Sequence, residues 1–338
     1  MKTKNLYCYF LIFFFSGLTF TSFSQTKTLK AEIDEAVLQH IIEANKKFTK
    51  EGKVADYIPE LGKADPNDIA VAVVDKNGKV FKAGDSMKKF TVQSISKLIG
   101  LMLAVEDRGE EEVFKQVGYF GTNQAFNHYA NLETEGKPLN PMMNAGAILT
   151  TSMIKGEGEE AYQRILERIK YITNNEDIEI NEAVYHSEKS TGDRNRGIFY
   201  ILKNNGLIEA EEGNEDALNN YFKQCSIELN VVDLAKIGYF FANQGVRFDG
   251  DETYKNAELS ALIQSQMLIA GMYDFSGEYA RKIGLPSKSG VGGGITVSVP
   301  GKMGIGVYSP GLDKHGNSVA GFQMIKDLEK LMNLSLFK

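Results

Sequence analysis

The sequence predicts an α+β fold in which an antiparallel sheet, assembled from segments far apart in the chain, is flanked by terminal helices and interrupted by an all-helical lobe. Three observations predict it. Strand-like apolar runs lie near both ends, at residues 69–74 and 79–83 and again at 295–299 and 303–308. Between them, from Ser94 to Gln264, apolar residues recur at helical spacing. Amphipathic helices stand at the two extremes, and a helix with one apolar stripe must bury it against another layer. The sheet lobe is expected at about residues 25–93 and 275–338 and the helical lobe at about 94–274, together one domain spanning 25–338.

Residues 1–24 stand apart from that domain. Lys2 and Lys4 precede an apolar run at residues 6–15, followed by small and polar residues up to Gln25, the pattern of a secretory signal peptide cleaved after Ser24. The run is short for a membrane span. Cys8 lies inside it, so Cys225 is the only thiol of the mature chain and no internal disulfide is possible. The expected location is periplasmic or secreted, with stability supplied by the core alone.

In the mature chain, Ile33, Val37, Ile41, Ala44 and Phe48 recur every three or four residues, so residues 29–49 read as a helix ended by Gly52. The turn Asp75-Lys76-Asn77-Gly78 between two apolar runs reads as a hairpin. Helical stripes follow at 98–105, 145–154, 162–172, 196–202, 217–225 and 231–241. Pro300-Gly301 turns the late strands, and Asn317-Ser318 caps a last helix with Phe322, Ile325, Leu328 and Met332 on one face.

Charge narrows the partners. The formal net charge is −6, and −8 once Lys2 and Lys4 are removed, which disfavours nucleic acid and, for the mature chain, anionic membranes. The four histidines, His40, His128, His186 and His315, form no H-E-x-x-H and pair with no cysteine, so neither a metal nor another cofactor is expected. A small-molecule substrate remains.

Two motifs carry chemistry. Phe90-Thr91-Val92-Gln93-Ser94-Ile95-Ser96-Lys97 closes a β-rich stretch, opens a helical one and contains S-x-x-K. Three residues of spacing place Ser94 and Lys97 on one helix face, where a lysine in its neutral form can take the serine proton. The second motif is Pro286-Ser287-Lys288-Ser289-Gly290-Val291-Gly292-Gly293-Gly294, a K-[ST]-G triplet running into glycines and then a strand. Such glycines suit a backbone that approaches a ligand closely, or simply a turn before an edge strand. S-x-x-K early and K-[ST]-G late is the order found in serine β-lactamases and penicillin-binding proteins.

The residues between point to another branch of that β-lactamase/transpeptidase-like fold. Gln93-Ser94-Ile95-Ser96-Lys97, Asn140-Pro141-Met142-Met143-Asn144-Ala145-Gly146-Ala147-Ile148, Ser187-Glu188 with Arg194-Asn195-Arg196, Tyr221-Phe222-x-x-Cys225-Ser226, Gly271-Met272-Tyr273-Asp274 and the run from Lys288 to Gly294 together resemble the bacterial and mitochondrial glutaminases, over roughly residues 29–331. The resemblance implies hydrolysis of L-glutamine to L-glutamate and ammonia. It makes Ser94 the nucleophile, Lys97 its base and Tyr273 the proton relay, with the N–H groups of Ser94 and Val291 as oxyanion hole. Tyr57, Asn144, Glu188, Asn195 and Tyr221 would surround the amino-acid end of the substrate, Glu188 pairing its ammonium. A homo-oligomer, dimer or tetramer, is the expected assembly. A β-lactamase or penicillin-binding-protein-like acyl transferase is the nearest alternative, although no S-D-N triplet supports it; a non-catalytic sensor on the same fold is the other.

Ordinary roles compete for several of these residues. Tyr57, Tyr221 and Tyr273 could be core aromatics, Asn144 a helix cap, Glu188 the partner of Arg194 in a surface ion pair, Asn195 a surface amide and Cys225 a small buried hydrophobe. One segment departs from the family: residues 117–127 lack the Pro-Ser-Gly turn its members usually carry, so the loop beside the pocket is expected to be reshaped.

Overall fold

The computed structural model describes residues 32–209 and 211–338; the expected leader at 1–24 lies outside them. Helix α1 (Glu35–Asn45) opens at Asp34, whose carboxylate accepts the N–H of Val37 at 2.8 Å, and a 3-10 turn (Lys46–Lys50) completes it. It starts later than the periodicity suggested: residues 32–34 are not helical, and 29–31 are outside the described range. The hairpin forms as expected from β1 (Ala70–Val74) and β2 (Val80–Gly84), with Val74 opposite Val80. Its loop is built on Asp75, whose carboxylate accepts the N–H groups of Asn77 and Lys79 at 2.9 Å each.

After β3 (Phe90–Thr91) come α2 (Lys97–Arg108), α3 (Glu110–Gln116), α4 (Ala130–Thr134), α5 (Asn144–Met153) and α6 (Glu160–Thr173). Strand β4 (Glu179–Ile180) precedes α7 (Glu182–Thr191), α8 (Asp193–Asn204) and α9 (Asp216–Cys225); β5 (Ile227–Leu229) leads to α10 (Val231–Ala242). Then follow α11 (Ala257–Ala270), α12 (Ser276–Lys282), β6 (Ser287–Ser289), β7 (Gly294–Val299), β8 (Met303–Tyr308) and α13 (Val319–Met332), the last capped by Ser318 as its sequence indicates.

The main sheet has the order β2-β1-β8-β7-β6 and is antiparallel throughout, so strands from both ends of the chain meet at the β1–β8 pair. Alternation explains why β1 is apolar at every position. Ala70, Ala72 and Val74 join the core shared with the helical lobe, including Leu234 and Ile237 of α10, while Val71 and Val73 join the core under α1 and α13.

The all-helical description of the middle is corrected in one place. Strands β3, β5 and β4 form a second, three-stranded antiparallel sheet in that order, and two of them lie within the helical lobe. Strands of two or three residues are too short to show a period. Their effect is local: β3 pairs with β5, Val92 donates its N–H to the Ile227 carbonyl at 2.8 Å, and the chain entering the S-x-x-K run is fixed.

Candidate active site

Ser94 lies in a 3-10 turn (Gln93–Ser96), and Lys97 is the first residue of α2. The S-x-x-K run is therefore a 3-10 turn rather than a regular α-helix, and in that geometry residues three apart eclipse, which aligns Ser94 and Lys97. Gln93 has a positive φ of 49°, strained for a residue with a side chain. It is held by Ser96 Oγ, which donates to its carbonyl at 2.8 Å.

The glycine loop braces the same turn. A Cβ on Gly290 would stand 2.7 Å from the Val92 carbonyl oxygen, and one on Gly292 2.7 Å from that of Thr91. These glycines thus admit the protein's own backbone, the strand that leads to Ser94, rather than a ligand. Among the described residues, the N–H groups of Ser94 and Val291, which belong to the two segments so packed, have no acceptor.

Lys97 is fully buried. Its Nζ donates to the Met142 carbonyl at 3.0 Å and to Asn144 Oδ1 at 2.7 Å, and lies 5.9 Å from the centre of the Tyr221 ring. Among the described residues no carboxylate forms an ion pair with it. Burial pushes its pKa down to about 8, against the opposing influence of Cys225 and Glu188. Asn144 Nδ2 donates onward to Asn195 Oδ1 at 2.9 Å. The cap reading of Asn144 fails: it is the first residue of α5, Met143 is the cap, and Asn140 Oδ1 accepts the N–H groups of Met142 and Met143 at 3.0 Å.

Glu188, in α7, is buried rather than paired at the surface. Burial raises its carboxyl to about 8, opposed by the Gln93 amide and the Lys97 charge. Arg194 instead lies over the Tyr129 ring at 5.6 Å. Tyr221 is buried, its phenol pushed up by burial and by the nearby Cys225 and Glu188. Cys225 is buried, and burial drives its thiol up, as suits an inert packing group. Asn195 is half-buried. Tyr57 is no core residue; 54% exposed, it stands at the mouth of a cleft of about 280 Å³ whose walls include Phe126, Asp274, Val291 and His315.

Tyr273 opens a 3-10 turn (Tyr273–Phe275) with φ at 58°, a second strained residue at the site. Its hydroxyl donates to the Ser289 carbonyl at 3.0 Å, and its pKa is raised by burial while the neighbouring Ser94 hydroxyl works the other way. Phe126 packs against its ring, centroids 5.0 Å apart. The segment that departs from the family thus contributes a wall through Phe126, while Tyr119 turns away and stacks flat on Phe114 at 3.8 Å.

Lys288 of the K-[ST]-G triplet has no separate role in the sequence reading, and the structure packs it beside Tyr273. It is fully buried, donates to the carbonyls of Gly271 at 3.2 Å and Ser289 at 2.7 Å, and places Nζ 4.5 Å from the centre of the Tyr273 ring. Burial drives its pKa well down, and the Lys97 charge adds to this. The triplet is its signal: Lys288 lies in β6, the edge strand of the main sheet, where every residue is buried.

Comparison with known proteins gives the family. The family model described as Glutaminase matches residues 52–337. The chain is 50% identical over 304 residues to Glutaminase 2 of Clostridium perfringens, covering 89% of this chain and 99% of that one, and 49% identical over 308 residues to a glutaminase of Clostridioides difficile, covering 90% and 99%. Among solved structures, a probable glutaminase of Bacillus subtilis in complex with 6-diazo-5-oxo-L-norleucine superposes with a TM-score of 0.81 at 34% identity, covering 91% of this chain and 98% of that one. A buried Ser-x-x-Lys turn, a Lys-Ser-Gly strand and a β-lactamase-like sheet therefore come with matching sequence along nearly the whole described chain, and the protein belongs to the glutaminase family.

Proposed function

We propose that the chain hydrolyses the side-chain amide of L-glutamine to L-glutamate and ammonia through a serine acyl-enzyme. Ser94 Oγ, its proton taken by Lys97, attacks the amide carbon. The oxyanion is met by the free N–H groups of Ser94 and Val291, and Tyr273 relays a proton to the leaving ammonia. Water then hydrolyses the γ-glutamyl ester and returns Ser94. The observation that carries this reading is Lys97, buried without an ion pair and lowered to about 8, at one 3-10 turn from the serine. An ordinary surface lysine would hold its proton too tightly to act as a base.

The recognition end follows the same logic. Glu188 is costly to ionise in the empty pocket, and the substrate ammonium supplies the charge that makes its carboxylate favourable. Asn144 accepts from Lys97 with one atom and donates to Asn195 with the other, which leaves the Asn195 amide N–H and the Tyr221 hydroxyl for the substrate carboxylate. Tyr57 covers the amino-acid end from the mouth. The scheme needs no metal or cofactor.

Two further features belong to this proposal. Residues 1–24 direct export and are removed, supported by the lysines ahead of the apolar run. The mature chain assembles with itself, supported by the exposed Tyr119, Phe120 and Ile269. Intact mass of the protein recovered outside the inner membrane tests the first, and light scattering the second. The mechanism is tested with Ser94→Ala, which should keep its melting temperature and release no ammonia; substantial turnover by that variant contradicts it.

A further inference from the structure

We infer that His315 is a positioning residue for Tyr273, an inference that rests on the proton-relay role proposed above. The backbone of Tyr273 is strained, with φ at 58°, and such a conformation persists only where the surroundings over-determine it. Part of the support is local: Ser276 Oγ accepts the Met272 N–H at 3.0 Å and donates to the Tyr273 carbonyl at 2.7 Å. The rest comes from the loop between β8 and α13.

Asp313 shapes that loop. Its Oδ1 accepts the N–H groups of His315 at 2.8 Å and Asn317 at 2.9 Å, and its own N–H donates to the Asn317 carbonyl at 2.8 Å. So shaped, the loop grips the residues immediately before and after Tyr273. Asn317 Nδ2 donates to the Met272 carbonyl at 3.3 Å, and His315 Nδ1 meets Asp274 Oδ2 at 3.0 Å. Gly316, between the two grips, lies against the tyrosine: a Cβ there would be 3.5 Å from its ring. The His315 ring also stacks on Phe275, centroids 5.2 Å apart at 26°, which fixes the imidazole that holds Asp274.

A His–Asp pair on an open surface contributes little. Here each partner is only partly exposed, 22% for the His315 side chain and 28% for Asp274, and the contact closes a bracket around one catalytic side chain. Its role is aim, since a hydroxyl displaced by about 1 Å can cost on the order of a hundredfold in rate. Among the described residues His315 makes no hydrogen bond to Ser94, Lys97 or Tyr273 itself; it also walls the cleft that Tyr57 lines, so the split between kcat and KM separates an effect through Tyr273 from one on that cleft.

The test is steady-state ammonia release from L-glutamine by His315→Ala and His315→Asn, each made alone and with Tyr273→Phe. His315→Ala should lower kcat about tenfold with KM and melting temperature near wild type. His315→Asn keeps an N–H donor toward Asp274 and should recover most of that loss. In the Tyr273→Phe background, His315→Ala should cost nothing further, because the group it aims is gone. Wild-type kcat in His315→Ala, a loss confined to KM or to melting temperature, or failure of His315→Asn to recover activity overturns the inference. Full activity in Tyr273→Phe alone overturns the relay role, and this inference with it; if that variant is too slow to measure, the split between kcat and KM and the asparagine rescue decide.

Discussion

The proposed amino-acid end of the site sits on regular helices, with Asn144 opening α5, Glu188 in α7, Asn195 in α8 and Tyr221 in α9, whereas the proposed reacting end sits on two strained turns and a glycine loop. Helices packed on one another give fixed distances between side chains, which suits recognition of a small zwitterion. The reacting end needs something else: a hydroxyl and two N–H groups aimed at one atom. In the proposed mechanism that aim rests on Gln93 and Tyr273 at positive φ, each held by a hydrogen bond from a neighbouring serine. The difference implies that damage at the reacting end falls on kcat and damage at the recognition end on KM.

Substitutions can break or sharpen that contrast. The largest effect is expected from Lys97→Arg, which keeps the charge and loses the base; kcat should fall at least about a thousandfold, and ammonia release under saturating glutamine checks it. Next comes Gly292→Ala, whose Cβ would push on the Thr91 carbonyl. It should shift the Val291 N–H and lower kcat by about a hundredfold with little change in KM. Glu188→Gln should do the reverse, raising KM by roughly ten- to a hundredfold while kcat stays within a few-fold, as a full substrate-saturation curve would show.

Two pH effects follow from burial. On the proposed mechanism the neutral form of Lys97 is the active one, so kcat/KM should rise as pH increases through about 8 and level off above it. Lys97→Arg should lack that inflection in its residual rate. Glu188 has a carboxyl raised to about 8 in the empty folded protein against an ordinary value near 4.5, so the folded state binds the extra proton between those values. Its burial therefore costs stability progressively as pH rises from 4.5 to 8, and the full cost is present above 8. Glu188→Gln should leave the melting temperature unchanged near pH 4 and raise it by about a few degrees at pH 9; a thermal melt without substrate at both pH values checks this smallest effect.

The contrast also explains what could be read from the chain. No stripe announces α7, the helix that carries Glu188, whereas Asn144, Asn195 and Tyr221 were legible, because the stripes beside them announce their elements and the motifs around them are ordered. The sheet and its pairing across the chain were legible for the same reason. The strained end was legible only as residue types. No residue type at Gln93 or Tyr273 announces positive φ, where glycine or asparagine would be the usual choice; local hydrogen bonds from Ser96 and Ser276 and contacts from distant segments together hold it. Strands β3, β4 and β5 are too short to carry a period, although they anchor the turn before Ser94. Asn144 could serve the substrate or cap a helix on its sequence alone, and only tertiary packing shows its side chain turned to Lys97 and Asn195. His315 has no motif at all; it matters because a loop 41 residues on from Asp274 returns to meet it.

The claim at the centre is that Ser94 is the nucleophile, and the most direct measurement is peptide mapping after exposure to 6-diazo-5-oxo-L-norleucine, a glutamine analogue whose diazoketone loses nitrogen and alkylates the attacking atom. The predicted result is a single adduct on Ser94, suppressed by excess L-glutamine and absent from Ser94→Ala. An adduct on Cys225 or Lys97 in place of Ser94, or no adduct in a preparation that still turns over glutamine, would contradict it.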